Sequence, residues 1–353
     1  MTTQKRLGIV YTKDPATAKV GMDIIRWFSL SKALLKRDYQ VDMITVNGTS
    51  IKEIENGLRI IPIKDARWQD YTAVKSCYQS TIDFIPEHKF IISRLARVIN
   101  PDQTDRDKKN IEELFCKQKI ISNRAKVILV NDEINRQRWL KLYKEKKDVF
   151  LLPTGCPDHF EISSVCPFKK DKPIAIFLGS LSNEKIINSL NEIGYFLNKS
   201  GWLLLIGGEN KTKYYCDKEQ KLDEKYCTYL GALTYEESFS YMHYSDVGIA
   251  IAPSPYIFEN ETSKIYYYLR VGLPTVSEDR IPNNNLIEYT KFGSVFPYSN
   301  NKIAAEMITK TGSSKTKSNL ADSTIKYMLE NHSWDVRAKY LDEVIVSHDD
   351  KKH

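Results

Sequence analysis

The stretch PSPYIFENETSKIYYYLRVGLP, residues 253–274, carries the residues best suited to chemistry. Thr262 or Ser263 can cap a helix that begins there. The first turn of a helix presents N–H groups without intrahelical partners and a partial positive charge, so it attracts anions such as a diphosphate. The amides of Ser263 and Ile265 belong to that turn, and Lys264 adds a full charge to it. Such a cation works against the helix by roughly 0.3–1 kcal/mol, a local cost that makes sense if an anion sits in front of it. Lys185 is a second candidate, a few residues after Gly179-Ser180-Leu181. Gly208 and Gly231 each close an apolar run, and backbone without a Cβ lets a ligand come close. The plainer readings are a surface lysine and ordinary turn glycines.

These residues need a frame that brings strand ends together. In the first half, residues 7–11, 41–46, 58–63, 90–92 and 127–130 read as strands, and residues 22–37 as a helix with Ile24, Ile25, Phe28, Leu34 and Leu35 at helical spacing. Leu152-Pro153-Thr154-Gly155-Cys156-Pro157 then interrupts any regular element. The pattern restarts with strands at 174–178, 202–206, 229–231 and 247–252 and another opening at 275–276. Helices at 183–198, 235–244 and 263–271 alternate with them. Alternation of this kind marks a parallel sheet covered by helices. Residues 325–346 read as a helical pair or one helix broken near 331–333. The expectation is α/β: two doubly wound Rossmann-like domains facing a central cleft. Their expected bounds are 1–155 and 156–325, with a closing helix in 326–353 packing back on the first. In open α/β sheets ligands bind beyond the carboxyl ends of the strands, which is where the glycines and Lys264 fall.

Composition narrows the class. The chain has 353 residues, a length that suits two domains, and 42% hydrophobic residues, enough for two cores. No apolar run approaches the ~18 residues that would span a bilayer. The apolar run at 7–11 is too short for a signal-peptide core, and the six cysteines show no CxxC pairing, so reduced thiols in the cytoplasm are expected. Net charge +7 favours anionic partners, but the basic residues do not gather in one stripe with aromatics, which argues against nucleic acid.

Glu259, Lys264 and Gly272-Leu273-Pro274-Thr275-Val276 resemble the nucleotide-sugar signature of the retaining GT-B glycosyltransferases of the family 4-like group, with its Glu-x7-Glu spacing. Residues 177–185 are similar to that family's phosphate segment, and residues 229–233 to its base-binding strand. Leu152-Pro153-Thr154-Gly155 resembles its interdomain segment, and Ser333-Trp334 the start of its returning helix. The resemblance implies a hexosyltransferase that uses a UDP- or GDP-type sugar, needs neither metal nor cofactor, and glycosylates a glycan or lipid-linked acceptor, as in polysaccharide biosynthesis. Glu259 would hold the donor sugar's hydroxyls. Gly179, Ser180, Lys185, Ser263, Lys264 and Ile265 would surround the diphosphate, and Gly208, Gly231, Leu233 and Tyr267 the nucleoside. Gly21 and His88 would lie on the acceptor side. Two positions depart from the pattern: Tyr267 replaces the second Glu, and Ser180 the Arg of the phosphate segment. Ser263-Lys264-Ile265-Tyr266-Tyr267-Tyr268 also resembles an inverting, glucuronosyltransferase-like group, so both stereochemical outcomes stay open. So do a catalytically weak relative acting as a binding or partner subunit and a sugar-nucleotide epimerase.

An inverting enzyme needs a base, for which His88, Asp102 and Asp105 are the first-half candidates. RQRWLKLYKEKK, residues 136–147, reads either as a helix with Trp139 and Leu142 buried or as a peripheral contact with the anionic inner face of a membrane. Residues 88–97 read either as an acceptor-binding segment with an anion-seeking pair, Arg94 and Arg97, or as a buried strand flanked by surface arginines.

Overall fold

Short aliphatic runs shielded on both faces form parallel strands, as in VILV at Val127–Val130, where every side chain is buried. The computed structural model describes residues 5–12, 14, 22–76, 81–87, 89–102, 108–145, 148–216, 219–255, 261–313 and 317–349. The chain divides into two units: Met1–Gly155 with Trp334–His353, and Cys156–Ser333.

In the first unit the elements are β1 (Lys5–Tyr11), α1 (Met22–Leu35), β2 (Tyr39–Thr45), β3 (Lys52–Glu55), β4 (Leu58–Pro62), β5 (Ala73–Ser76), β6 (Ile91–Leu95), α2 (Lys108–Arg124), β7 (Val127–Val130), α3 (Glu133–Leu142) and β8 (Val149–Leu151). Its sheet runs β3-β4-β2-β1-β5-β6-β7-β8 and is parallel except where β3 meets β4. The order reverses between β1 and β5. Trp139 lies in the core of this unit and Leu142 packs against it, so α3 is a half-buried helix. Arg94 and Arg97 are buried rather than at the surface as the plainer reading had it, at 8% and 7% exposure. Asp102 is exposed, while Gly21, His88 and Asp105 lie outside the described residues.

The second unit holds β9 (Ile174–Leu178), α4 (Glu184–Lys199), β10 (Leu203–Gly207), α5 (Thr212–Tyr215), β11 (Cys227–Gly231), α6 (Tyr235–Tyr244), β12 (Val247–Ala250), α7 (Ser263–Arg270), β13 (Thr275–Glu278), α8 (Asn285–Thr290), β14 (Gly293–Phe296), α9 (Asn301–Ser313) and α10 (Lys317–His332). Its sheet, β11-β10-β9-β12-β13-β14, is parallel throughout. This is the doubly wound dinucleotide-fold order, and its topological switch point lies between β9 and β12.

The last helix, α11 (Trp334–Asp349), belongs to the first unit. Its Trp334, Ala338, Leu341, Val344 and Ile345 share a core with Trp27, Leu30 and Leu34 of α1. A Cβ at Gly155 would come within 2.5 Å of the Trp334 ring, so glycine is required where the chain leaves the first unit. Asp342 fastens the other end, accepting from Lys5 Nζ and Tyr39 Oη at 2.8 Å each. Residues 326–332, expected with the closing helix, instead finish α10. That helix packs on α7, and Ile325 fills the space beside Gly272. No helix among the described residues is long and apolar enough to cross a membrane. The cysteines described are free.

Because Trp334 is 2% exposed and central to that core, Trp334→Ala is expected to cost about 3–5 kcal/mol of stability, read by urea denaturation.

Candidate functional site

The second unit places Gly179, Gly207, Gly208 and Gly231 at the carboxyl edge of its sheet. Gly179 N donates to Gly207 O at 2.8 Å, and Gly208 N donates to Gly231 O at 2.7 Å, so the ends of β9, β10 and β11 are laced together. Tyr229 Oη closes the lacing by donating to Gly208 O at 2.7 Å. Gly208 has φ +142, and a Cβ there would fall 2.1 Å from Gly179 O, a backbone atom that cannot step aside. Leu233 lies against Gly207, and Ser180 is exposed at the rim.

Helix α7 meets this edge at the switch point. Tyr268 sets its position. The phenol is fully buried, its Oη accepts from Leu178 N at 2.9 Å, and a Cβ at Gly248 would strike its ring. One helical turn earlier on the same face stands Lys264. A Cβ at Gly179 would lie 2.4 Å from Lys264 Cε and 2.5 Å from Nζ, so the ammonium rests directly on that glycine. It also lies 5.0 Å from the Phe177 ring centroid. No hydrogen bond or ion pair to Lys264 is found among the described residues. The side chain keeps some contact with solvent but is closely surrounded, and burial pulls its pKa down to about 8 from 10.5.

The start of α7 is held through its backbone. Thr262 occupies the N-cap position, but its side chain makes no capping hydrogen bond. Its backbone is gripped instead by Asn283, whose Oδ1 accepts from Thr262 N and whose Nδ2 donates to Thr262 O, both at 2.9 Å. The entrance to the helix is thereby held, and among the described residues no side chain caps the N–H groups of its first turn, from Ser263 to Ile265. Glu259 lies outside the described residues.

Lys185 has a different setting from the one its sequence position suggests. Its ammonium donates to Glu278 Oε2 at 2.6 Å and to Ala252 O at 2.9 Å, and sits 4.5 Å from the Tyr298 ring centroid. Glu278 is 0% exposed at the end of β13 and also accepts from Ala252 N at 2.6 Å and Ser299 N at 2.8 Å. Burial lowers the pKa of Lys185, and the bond and charge of Glu278 oppose that shift. The pair is therefore a brace. It holds the loop after β12, with Asn183 Nδ2 donating to Pro253 O at 2.7 Å beside it. Lys185 thus reaches any ligand already neutralised in large part.

Tyr267 is 7% exposed and packs with Phe239 and Tyr235, its Oη 3.5 Å from that of Tyr235. It stands in an aromatic cluster at the position where the family pattern has a carboxylate. Arg270, at the other end of α7, donates to Pro157 O at 2.9 Å and Asp158 O at 2.7 Å, tying the helix to the start of the unit.

Comparison with solved structures shows what this architecture matches. HepE of Anabaena in complex with UDP-glucose aligns over 97% of this chain and 99% of that one, with a TM-score of 0.73 and 11% identity. Sucrose-phosphate synthase of Thermosynechococcus elongatus aligns over 97% and 98%, with a TM-score of 0.71 and 14% identity. The fold is GT-B. A third solved structure, WaaG, described as a glycosyltransferase involved in lipopolysaccharide biosynthesis, aligns over 96% and 99% with a TM-score of 0.68 and 13% identity. No protein-family model matches the sequence, and no curated protein matches it either.

Within this GT-B unit the sequence reading missed Glu278, Asn283 and Tyr268. Only Glu278 carried a signal, as an acid ending a buried strand at the ligand edge.

Burial of Lys264 has a measurable consequence. Its folded pKa, about 8, lies below the ordinary 10.5, so between those values the unfolded chain binds more protons and stability rises with pH. Lys264→Met removes that term. The variant is expected to be more stable than the parent below pH 8, with its advantage shrinking as pH approaches 10.5. Urea denaturation of both chains at pH 7 and pH 10 checks it.

Proposed function

We propose that the chain is a glycosyltransferase that moves a hexose-type sugar from a nucleoside-diphosphate sugar, UDP or GDP type, to a glycan or lipid-linked acceptor. One observation carries the reading. A closely surrounded ammonium without a carboxylate partner among the described residues lies between Gly179 and the start of α7, where the Thr262 side chain makes no cap, at the switch point of a dinucleotide-type sheet. A diphosphate supplies what that arrangement needs. The GT-B fold and a neighbour solved with UDP-glucose are consistent with it.

In the reaction the acceptor hydroxyl oxygen bonds to the anomeric carbon as the bond from that carbon to the β-phosphate oxygen breaks. The electron pair of that bond leaves with the nucleoside diphosphate, and the hydroxyl proton passes to a base or to the departing phosphate. Lys264 and the amides of Ser263 and Ile265 stabilise the growing negative charge, so the chain itself supplies the positive field and we take the step to be metal-independent. Gly179 and Ser180 border the diphosphate. Gly208, Gly231 and Leu233 border the nucleoside, Lys185 holds the loop after β12 in place, and Glu259 orients the donor sugar. Gly21 and His88 belong to the acceptor side. We place the enzyme in the cytoplasm, at the inner face of the membrane if its acceptor is lipid-linked.

A second reading, a weak or inactive relative serving as a partner subunit, is favoured by two features. Tyr267 is turned into an aromatic cluster, and Lys185 is taken up by Glu278. Donor turnover separates the two. Incubation with UDP- and GDP-hexoses is expected to release nucleoside diphosphate slowly even without acceptor, and Lys264→Ala is expected to lower that rate roughly 10²–10³-fold. Binding of the nucleotide sugar with no release would favour the partner subunit, and no binding at all would remove the proposal.

A further inference from the structure

Two lysines stand at the carboxyl edge of the second sheet, and their nitrogens differ in chemistry. Lys185 gives its N–H groups to Glu278 Oε2 at 2.6 Å and to Ala252 O at 2.9 Å. A carboxylate held that close keeps the amine protonated, and a protonated amine has no lone pair to offer. Lys264 makes no hydrogen bond or ion pair among the described residues. What touches it is backbone and ring: a Cβ at Gly179 would lie 2.5 Å from Nζ, and the Phe177 ring centroid is 5.0 Å away. Burial is the cause of its lowered pKa, and no charged side chain of the described residues enters into the shift.

An amine in that setting is a nucleophile near neutral pH. The lone pair belongs to the neutral form, and desolvation favours the neutral form. At pH 7 about one such amine in ten is uncharged, against about one in three thousand at the ordinary value of 10.5. The side chain keeps a share of exposed surface, so a small reagent reaches it. The same turn of chain offers that reagent a seat. Lys264 belongs to the first turn of α7, where the Thr262 side chain makes no cap and Asn283 holds the Thr262 backbone from both sides. A phosphate group received by the N–H groups of that turn stands beside the lysine.

We propose that Lys264 is a modification site, which takes the acyl group of an acyl phosphate whose phosphate is seated at the start of α7. The lysine nitrogen bonds to the carbonyl carbon as the bond from that carbon to the phosphate oxygen breaks. The electron pair of that bond leaves with the phosphate, which also receives the proton that the nitrogen sheds. The product is an amide in place of the ammonium. It carries no positive charge, and it adds bulk where the side chain already rests on Gly179. The acylated chain therefore loses its hold on a diphosphate, and the site answers to the supply of activated acyl groups. This deepens the transferase reading and rests on it for the phosphate seat. Lys185, at the same edge but spent on Glu278, stays unmodified.

The test is peptide mapping by mass spectrometry after the full chain is incubated with acetyl phosphate at pH 7. Lys264 is expected to be acetylated about tenfold or more faster than Lys185 and the surface lysines. Inorganic pyrophosphate is expected to protect Lys264 and to leave the surface lysines as reactive as before. The succinimidyl ester of acetic acid, which carries no phosphate, is expected to show a much smaller preference. Chain acetylated at Lys264 is expected to bind UDP and GDP about tenfold or more weakly by calorimetry. Equal rates at Lys264 and the surface lysines, a preference that the ester reproduces in full, absent protection by pyrophosphate, or unchanged nucleoside diphosphate affinity after acetylation overturns the proposal. Nucleoside diphosphates that bind a chain whose Lys264 stays unmodified would strike this inference and leave the transferase reading standing. Selective, pyrophosphate-sensitive acetylation of a chain that binds no nucleoside diphosphate would strike the transferase reading and leave the modification site standing.

Discussion

The interaction on which the second unit depends is the seating of the Lys264 ammonium on the backbone of Gly179. It requires three things at once: a residue without a Cβ at the end of β9, a helix start aimed at that residue, and something that fixes the helix in depth. Tyr268 provides the last by lodging its hydroxyl at Leu178 N. Asn283 provides the second by gripping both polar atoms of the Thr262 backbone. The charge is thus held by parts that are individually unremarkable. Its desolvation is a standing cost of the ligand-free fold. Proteins keep such costs at sites where a ligand offsets them, which is why the depressed pKa of Lys264 is informative only together with the helix start beside it.

Lys185 shows the contrast. It is also a lysine in the first turn of a helix after a strand-end glycine, yet it is an internal brace. Its partner Glu278, at the end of β13, accepts four hydrogen bonds, two from Lys185 and one each from Ala252 N and Ser299 N, and so locks the loops after β12 and β14. Breaking a buried pair by removing one partner leaves the other charge uncompensated, so the two residues act as one unit. The loops so fixed form one wall of the site, and Lys185 shapes it more than it charges it.

Much of this was legible in the residues. The alternation of aliphatic runs and amphipathic helices gave the two doubly wound units, and the Pro-Gly cluster at 152–157 marked the passage between them. Lys264 and Gly179 were readable as neighbours because both follow strands that end at one edge. The strands at Ala73–Ser76, Val149–Leu151 and Gly293–Phe296 were not legible. They are only three or four residues long, and a lysine and a serine in the first and a glycine and a serine in the last break the apolar run. Glu278 could not be assigned to Lys185 either, because a contact across 93 residues of chain leaves no local pattern. Tyr267 was read through the carboxylate it replaces, whereas its surroundings are aromatic. Of the buried basic residues of the first unit, Arg94 and Arg97 stood in a stretch read as strand-like. Lys75, inside the unread strand AVKS, was not visible.

The charge state of the Lys264 amine can be followed directly. Selective ¹³C labelling of lysine side chains, with Lys264→Met to assign the signal, would follow the titration of Lys264 with and without a bound nucleoside diphosphate. A free-chain midpoint near 8 that rises by about 1–3 units on binding is the expected result. A midpoint at the ordinary value of 10.5, or one that stays put when the diphosphate binds, would contradict it.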